Sequence, residues 1–346
     1  MDSRRLGAVL ALSLAIGASP ATLAGSEVKL DGYLEYRKGE FLIVDAQRVR
    51  TTSGTRFNPG GRAKSVATIP MGYRLRIRGS RQKDGTIRAV EITAERNGSG
   101  TIEKQVVAST DQAEKTWVQA KQIVQPGPEG KQVSLGALHD RGPQVVRARR
   151  IVDHIVPGYV DPRKVRVYVV DNPEWNAMAM ANYSVYVFSG LMADMDDDEL
   201  AIVLGHELAH ATHEHSRRQA TKSIISGVAG QVAILGAEQI DSPAARNAAK
   251  QAASLGVVTF GNVYSREYED QADRVGLRYV YEAGYDYKKA PVLWRRFAQK
   301  YGDQDAATNF FFGDHSSSAK RASALEREIA RNYRHPADLP SRIPTR

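Results

Sequence analysis

The spacing of apolar residues changes once along this chain of 346 residues, and that change limits how the chain can fold. Between Val28 and Glu95 apolar and polar residues alternate with a period of two, which predicts short β-strands with one buried face. After that region the apolar residues recur at helical spacing in several segments, with strand-like segments between them. The sequence therefore predicts an all-β unit followed by a unit that mixes helices and strands.

Four strands are predicted in the alternating region, and Asp84-Gly85 is a good hairpin turn between the last two. In the third strand Leu75 and Ile77 would face inward, while the arginines that alternate with them would face outward. Four or five short strands in about 70 residues predict a small closed β-barrel of the OB type. The predicted strands are Val28 to Tyr36, Glu40 to Arg50, Tyr73 to Arg78 and Thr86 to Glu95.

The formal net charge of +9 comes mainly from this β-rich region, which holds 15 Lys or Arg and 8 Asp or Glu between Ser26 and Arg96. Basic OB barrels often bind single-stranded nucleic acid, and such binding would be strongly salt-dependent. Arginines at alternate positions of a strand more often form its solvated face. We expect a solvated face that could contact envelope assembly machinery or an anionic envelope surface, and we do not expect a nucleic-acid partner.

The first residues have the layout of a secretory signal, because Arg4 and Arg5 precede an apolar run from Leu6 to Ala18 that small residues follow. We expect cleavage after Ala24 and a soluble periplasmic protein. The alternative is an uncleaved membrane anchor, but the apolar run is shorter than the roughly 20 residues that a spanning helix needs. We therefore expect no membrane span in the mature chain.

A helix that carries two histidines is predicted to begin after Asp196, which opens a capping-box pattern, and to run to about Ser216. His206 and His210 are four residues apart on it, so their imidazoles project from one face and could bind one tetrahedral zinc ion. Glu207 lies beside them, where its carboxylate could reach a water molecule at the ion. The alternative is a helix whose histidines share one polar face by chance.

A catalytic zinc site needs a third protein ligand. The chain contains no cysteine, so this ligand must be a histidine or a carboxylate. One known extension of the motif places Gly three residues and His six residues after the second histidine, but this chain has His213 and Ser216 there. We expect His213 to lie at the surface. Residues 264–273 offer glutamates at the start of a later predicted helix, on which Glu269 and Asp273 share a face.

Four separated segments, in this order, resemble a known family of peptidases. Over roughly Ala148 to Ala330 the chain resembles gluzincin metallopeptidase family 48, which includes the CAAX prenyl endopeptidase, the HtpX membrane peptidase and the envelope peptidase BepA. The segments are Asn176-Ala-Met-Ala179 with Ser189-Gly-Leu191, Glu199 to His210 with His215, Ser265 to Asp273 with Gly276, and His315 with Arg321.

The resemblance implies a role for several residues around one Zn²⁺ per chain. It makes Glu269 the third ligand and makes Asp273 a hydrogen-bond partner of the ligand His206. It also suggests that His315 is a fourth ligand or plug that occupies the metal at rest. The implied fold is α+β, with a mainly helical zincin catalytic domain that contains a small sheet. Two further residues that could support the site are Asn176 and Arg321.

One departure from the family pattern lies at Ala181-Asn182-Tyr183, where many members have Pro-Gly-Gly. Asparagine tolerates a positive φ, but tyrosine does so poorly. We expect this turn, and the substrate groove beside the following strand from Ser184 to Phe188, to differ from those of the family.

Together these features predict a zinc-dependent endopeptidase in which Glu207 acts as the general base. The expected substrates are polypeptides, in particular misfolded or unassembled envelope proteins. The alternative is a zinc-stabilised chaperone or scaffold for outer-membrane protein assembly. A structural zinc normally has four protein ligands and no catalytic glutamate beside them, which favours the enzyme.

The predicted organisation divides the chain into five parts. They are a signal peptide at 1–24, an OB-like β-barrel domain at 26–98, a helical linker region at 99–140, a zinc metallopeptidase domain at 141–335 and a basic tail at 336–346. A helix is predicted in the linker region from Glu103 to Val124. Within the peptidase domain, Ser223 to Gly261 predicts a packed helix pair or, alternatively, a lid over the site.

Overall fold

A computed structural model describes residues 26–95, 101–126, 132–219, 264–302 and 318–333 of the chain. The predicted signal peptide, the segment Ser223 to Gly261, the basic tail and His315 lie outside these residues. Among the described residues, no helix is both long enough and apolar enough to cross a membrane.

The first unit is one sheet of six strands in the order β3-β2-β1-β5-β6-β4. The strand β3 also pairs in parallel with β6, through Val49 and Ile87, so that β3, β2, β1, β5 and β6 form a closed ring of pairings. Leu34 and Ile92 are among the fully buried residues inside it. The OB type of this unit stays a prediction. The strands are β1 (Glu27–Lys38), β2 (Phe41–Val44), β3 (Gln47–Arg50), β4 (Arg56–Asn58), β5 (Arg74–Arg81) and β6 (Ile87–Glu95).

The strand β5 alternates as the sequence predicts. Leu75 and Ile77 are buried, and the arginines between them are exposed. Arg74 donates two hydrogen bonds to Asp31 on β1, at 2.8 and 2.7 Å. Exposed ion pairs of this kind contribute about 1 kcal/mol or less. The prediction that these arginines lie on a solvated face is confirmed.

The prediction of one strand from Glu40 to Arg50 is wrong, because these residues form a hairpin of two strands, β2 and β3. Asp45 and Ala46 form its turn with φ values of 43° and 62°, the left-handed conformations that a tight hairpin turn requires. Alanine is unusual there, so Asp45-Ala46 is not one of the residue pairs that indicate a two-residue hairpin turn. The turn is held by Asp45 Oδ1, which accepts from Tyr33 N at 3.1 Å, and by Glu35 Oε1, which accepts from Ala46 N at 3.1 Å.

The second unit mixes helices with a sheet of five strands in the order β10-β11-β9-β8-β7, in which β9 and β11 run parallel. This combination is of the α+β class. The elements are α1 (Thr101–Ala120), β7 (Gln122–Pro126), β8 (Gln132–His139), α2 (Pro143–Ile155), β9 (Arg166–Asp171), β10 (Ala177–Ala179), β11 (Ser184–Phe188), α3 (Ser189–Asp194), α4 (Asp197–Thr212), α5 (Arg266–Ala283), α6 (Ala290–Tyr301) and α7 (Ser318–Asn332).

Residues 99–140 do more than the linker that the sequence suggests. The strands β7 and β8 extend the second sheet beyond β9, and α1 covers one of its faces. Trp117 of α1 packs edge-on against Tyr186 of β11, with ring centroids 5.7 Å apart. Glu114, buried on the same helix, accepts hydrogen bonds from Arg166 and Tyr168 of β9, each at 2.7 Å. This arrangement depends on strand pairing and on contacts with later segments of the chain. The polar composition of residues 99–140 does not indicate these contacts.

The helix α4 begins with the predicted capping box, in which Asp196 Oδ1 accepts from Glu199 N at 3.0 Å and Asp196 N donates back to Glu199 Oε2 at 3.3 Å. It ends at Thr212, slightly earlier than predicted, because His213 and Glu214 form a turn and Glu214 has a φ of 59°. Nearly all residues of α4 are buried among the sheet, α2 and α5.

The turn ahead of β11 places the positive φ on Tyr183, at 65°, although tyrosine is poorly suited to it. Its neighbour Asn182 compensates with side-chain hydrogen bonds. Its Oδ1 accepts from Ser184 N at 3.1 Å, and its Nδ2 donates to Glu114 Oε2 at 2.7 Å. The turn is therefore anchored to α1.

Candidate metal centre and active site

Two helices bring three potential metal ligands together. His206 and His210 project from α4, and their Nε2 atoms lie 3.0 Å apart. Glu269, in the first turn of α5, places Oε2 at 3.4 Å from His206 Nε2 and Oε1 at 3.4 Å from His210 Nε2. All three side chains are buried. In the part of the chain that the structure describes, this is the one cluster of three such groups.

This donor set fits a zinc ion. Tetrahedral zinc with bonds of about 2 Å holds its ligand atoms about 3.3 Å apart. The two separations that involve Glu269 match this value, and the two imidazoles would need to move apart by a few tenths of an ångström. Two imidazole nitrogens and one carboxylate also form a known donor set of catalytic zinc sites.

The close crossing of α4 and α5 sets these distances. The two backbones approach at Gly205 and Gly276, where a Cβ added to Gly276 would lie 2.6 Å from the backbone nitrogen of His206. Only glycine fits at such an approach, so the crossing fixes the position of Glu269, two turns earlier on α5, against the two histidines.

Asp273 and Arg321 lie behind His206. His206 Nδ1 is 2.9 Å from Asp273 Oδ1, so it can donate to that oxygen and direct Nε2 towards the ligand cluster. Arg321 of α7 binds the same carboxylate through two bonds, from Nη2 at 2.6 Å and from Nε at 2.9 Å. Its guanidinium also lies over the ring of Trp294, at 3.5 Å from the centroid. The carboxylate of Asp273 is thereby held between His206 and Arg321.

Electrostatics at this pair favour a protonated His206 when no metal competes. Burial and the charge of Arg321 lower the pKa of His206, but hydrogen bonds to Asp273 and Glu269 outweigh them and raise it to about 9. Burial raises the pKa of Asp273, but Arg321 and His206 outweigh it and hold the pKa at about 2. A metal ligand must be deprotonated, so protons would compete with a metal ion for this imidazole.

The side chain of Glu207 extends from α4 to the edge of the second sheet. Its Oε2 accepts a hydrogen bond from the backbone nitrogen of Ala179 in β10, at 3.3 Å. The strand β10 is the last in the sheet, so one of its edges has no neighbouring strand among the described residues. The carboxylate of Glu207 thus lies beside a strand edge, and Glu207 directly follows the potential metal ligand His206.

Two neighbours of His210 have no role in the sequence prediction. The ring of Tyr264 stacks on that of His210, with centroids 4.1 Å apart and planes tilted by 20°. On the other side, His215 Nδ1 lies 2.8 Å from His210 Nδ1. The match of His215 to the family pattern and the position of Tyr264 just before the second motif are the signals that could have indicated them.

The expected surface position of His213 is wrong, because this residue is buried. The first sheet covers it, and the ring of Tyr33 lies 6.5 Å from its ring. Burial lowers the pKa of His213 to about 4. The covering residues come from a part of the chain about 180 residues earlier, which the local sequence does not reveal.

The remaining predicted residues differ in position. Asn176 is buried directly before β10, where its carbonyl oxygen accepts from Phe188 N at 2.9 Å. Its Nδ2 has no hydrogen-bond partner among the described residues, and its support of the site stays a prediction. Arg321 lies at the site, and His315 lies outside the described residues.

The site lies within a segment that has known relatives. The family model described as Peptidase family M48 matches residues 147–329. The mitochondrial metalloendopeptidase OMA1 of Bos taurus is 29% identical over 204 residues, which are 56% of this chain and 38% of that protein. The metalloprotease YcaL of Escherichia coli K12 is 31% identical over 172 residues, 49% of this chain and 63% of that protein. A putative beta-barrel assembly-enhancing protease of Vibrio cholerae is 32% identical over 141 residues, 39% of this chain and 28% of that protein.

This chain spans less than two thirds of the length of each of these three relatives. The matched segment contains Arg321 and the two helices that carry the potential metal ligands, and it covers more than half of the chain. The chain belongs to peptidase family M48.

Proposed function

We propose that this protein is a zinc-dependent endopeptidase. The observation that carries the proposal is the cluster of His206, His210 and Glu269, whose potential ligand atoms lie 3.0 to 3.4 Å apart. Glu207 follows His206 directly on α4. Three protein ligands leave one coordination position for a reactant, whereas structural zinc sites normally have four protein ligands.

The residues of the site have separate roles in the proposed reaction. A zinc ion bound there would lower the pKa of a water molecule and polarise the carbonyl group of a peptide bond. Glu207 accepts a proton from the attacking water on its carboxylate and passes it to the nitrogen of the leaving amine. Asp273 holds His206 in the tautomer that binds through Nε2, and Arg321 keeps that carboxylate charged and in place.

The open edge of β10 supports a polypeptide substrate. An extended peptide can add to a sheet edge through main-chain hydrogen bonds. Because Glu207 bonds to the backbone of Ala179, a peptide along this edge would pass close to its carboxylate. The same edge accepts any sequence through the backbone, so side-chain pockets would have to supply specificity.

The test is the replacement Glu207→Gln, which preserves shape but removes the proton acceptor. We expect the purified variant to keep about one zinc per chain and to hydrolyse casein at least about 100-fold more slowly than the wild type. The matched control is Glu267→Gln, the same chemical change at an exposed position in the first turn of α5, and it should keep full activity. Casein cleavage by Glu207→Gln at the wild-type rate would refute the assignment.

We further propose that the substrates are misfolded or unassembled envelope proteins in the periplasm, and that the basic first sheet contacts the anionic envelope surface or its assembly machinery. The predicted secretory signal at 1–24 and the name of the Vibrio cholerae relative support this. Cells with Glu207→Gln should accumulate unassembled envelope proteins. Fractionation that finds the protein in the cytosol would contradict the proposed location.

We also propose that His315 closes the site at rest, which the spacing of six residues between His315 and Arg321 supports. The variant His315→Ala should then hydrolyse casein faster than the wild type. An unchanged rate together with unchanged metal coordination would exclude a plug.

A further inference from the structure

A continuous chain of hydrogen-bond distances joins the metal site to the first sheet. His210 faces the ligand cluster through Nε2, so its Nδ1 points away from it, to His215 Nδ1 at 2.8 Å. The other nitrogen of His215 lies 2.9 Å from Gln271 Oε1 on α5. Gln271 Nε2 in turn lies 2.9 Å from Glu35 Oε1 and 2.5 Å from Asp45 Oδ1. Both carboxylates belong to the first sheet or its turn.

Coordination would fix the direction of every bond in this chain. A histidine that binds a metal through Nε2 carries its proton on Nδ1, so His210 donates to His215 Nδ1. His215 then carries its proton on Nε2 and donates to Gln271 Oε1. The amide group of Gln271 is left to donate to Glu35 and Asp45, which only accept. Each donor therefore meets an acceptor, with no conflict at any step.

The surroundings of this chain are closely packed. His215 and Gln271 are buried, and the ring of Tyr268 lies parallel to that of His215 with centroids 4.7 Å apart. The guanidinium of Arg218 lies between two rings, 4.2 Å from Tyr33 of the first sheet and 4.4 Å from Tyr268 of α5. Its Nη1 also donates to Gln271 Oε1 at 3.0 Å. The imidazole and the amide thus have little freedom to rotate.

The two carboxylates are themselves fixed by the first sheet. Glu35 Oε1 also accepts from Arg274 Nη2 at 2.9 Å and from the backbone of the hairpin turn. Asp45 Oδ1 accepts from Tyr33 N, and its other oxygen lies where a Cβ on Gly32 would be only 2.6 Å away. The acceptors are therefore held in place independently of Gln271, which is what a supporting shell for a precise site requires.

We propose that the first sheet positions the metal site: Glu35 and Asp45 orient Gln271, and Gln271 orients the His210 imidazole through His215. Gln271, Glu35 and Asp45 are thus positioning residues that touch neither substrate nor metal. The physical basis is that hydrogen bonds behind a ligand histidine fix its ring orientation and raise metal affinity. This inference rests on the proposed zinc site and adds a role for the β-rich unit.

Zinc affinity of the full chain, measured by competition with a chromogenic chelator, tests this without any need for peptidase activity. Gln271→Leu breaks the chain and should weaken zinc binding about tenfold, the lower end of the range for such supports. Asp45→Ala removes one of two acceptors and should weaken it about threefold. Asp45→Asn keeps the accepting Oδ1 and should bind zinc with the affinity of the wild type. If Gln271→Leu does not fold, the two Asp45 variants at the partly exposed turn decide the question.

The matched control is Arg278→Gln, which removes another contact between the two units, the guanidinium of Arg278 over the ring of Tyr36 at 4.4 Å. It should bind zinc as the wild type does. Equal zinc affinity of the wild type, Gln271→Leu and Asp45→Ala would overturn the inference and leave the proposed enzyme intact. An equal loss in Arg278→Gln would also overturn it, because the effect would then come from general contact between the units. A wild type that binds no zinc would overturn both proposals.

Discussion

Burial of His213 should make the protein sensitive to mild acid. Burial holds the pKa of His213 at about 4 in the folded protein, whereas an exposed histidine has a pKa of about 6.5. The unfolded chain therefore binds the proton at a higher pH than the folded chain does. The corresponding stability is fully present above about pH 6.5 and is lost as the pH falls towards 4.

The magnitude follows from these two pKa values. Each unit of difference in pKa corresponds to about 1.4 kcal/mol. Between pH 7 and pH 5 the unfolded state becomes almost fully protonated at this position, while the folded state does not. The free energy of unfolding should therefore fall by about 2 kcal/mol over this interval because of His213 alone.

The variant His213→Phe isolates this contribution, because it keeps the ring and cannot titrate. The replacement removes few hydrogen bonds, because Nε2 of His213 has no hydrogen-bond partner among the described residues. Its Nδ1 lies 3.1 Å from Thr212 Oγ1, and that hydroxyl keeps a second partner in the Tyr279 hydroxyl at 2.8 Å. Urea unfolding at pH 7 and pH 5, with a metal chelator present, should show a loss about 2 kcal/mol smaller in the variant than in the wild type.

The control for this measurement is His154→Gln, at an exposed position on α2, which should lose as much stability as the wild type. Other groups titrate over the same interval, so the relevant quantity is the difference between the two losses. If the wild type and His213→Phe lose the same free energy between pH 7 and pH 5, the reasoning from burial is refuted.

Two further substitutions test how the site is held together. Gly276→Ala adds a Cβ only 2.6 Å from His206 N, so it should force α4 and α5 apart. The free energy of unfolding should fall by about 2 kcal/mol and zinc binding should weaken. Unchanged urea unfolding and zinc affinity would contradict the argument from the close crossing. Arg321→Met leaves the buried carboxylate of Asp273 without its two guanidinium hydrogen bonds, so it should lower the free energy of unfolding by about 3 to 5 kcal/mol. A loss below about 1 kcal/mol in urea unfolding would show that this ion pair is not needed for stability.

The parts of the site that the sequence predicted are those with short-range signals. The capping box, the helical spacing of His206 and His210 and the alternation in β5 depend on neighbours a few residues apart. The third ligand needed the family resemblance, because helical spacing alone leaves more than one glutamate between residues 264 and 273.

The parts that the sequence did not predict depend on contacts between distant segments. Ala46 carries a positive φ that no local rule assigns to alanine, and the hairpin depends on Glu35 and Asp45 as well. Gln271 lies two residues after Glu269, on another face of α5, and its amide nitrogen has acceptors there because the first sheet packs against it. The burial of His213 has the same cause.

The helix α1 and the strands β7 and β8 have a consequence for the size of the folding unit. They precede the matched segment 147–329, yet α1 covers the aromatic face of its sheet and β8 pairs with β9. A fragment that starts at residue 147 would leave the edge of β9 and the rings of Tyr168 and Tyr186 open to solvent, and open edges of this kind pair with other copies. Self-association would then compete with folding, so we predict that the shortest autonomously folding unit extends back to α1 and is longer than the matched segment.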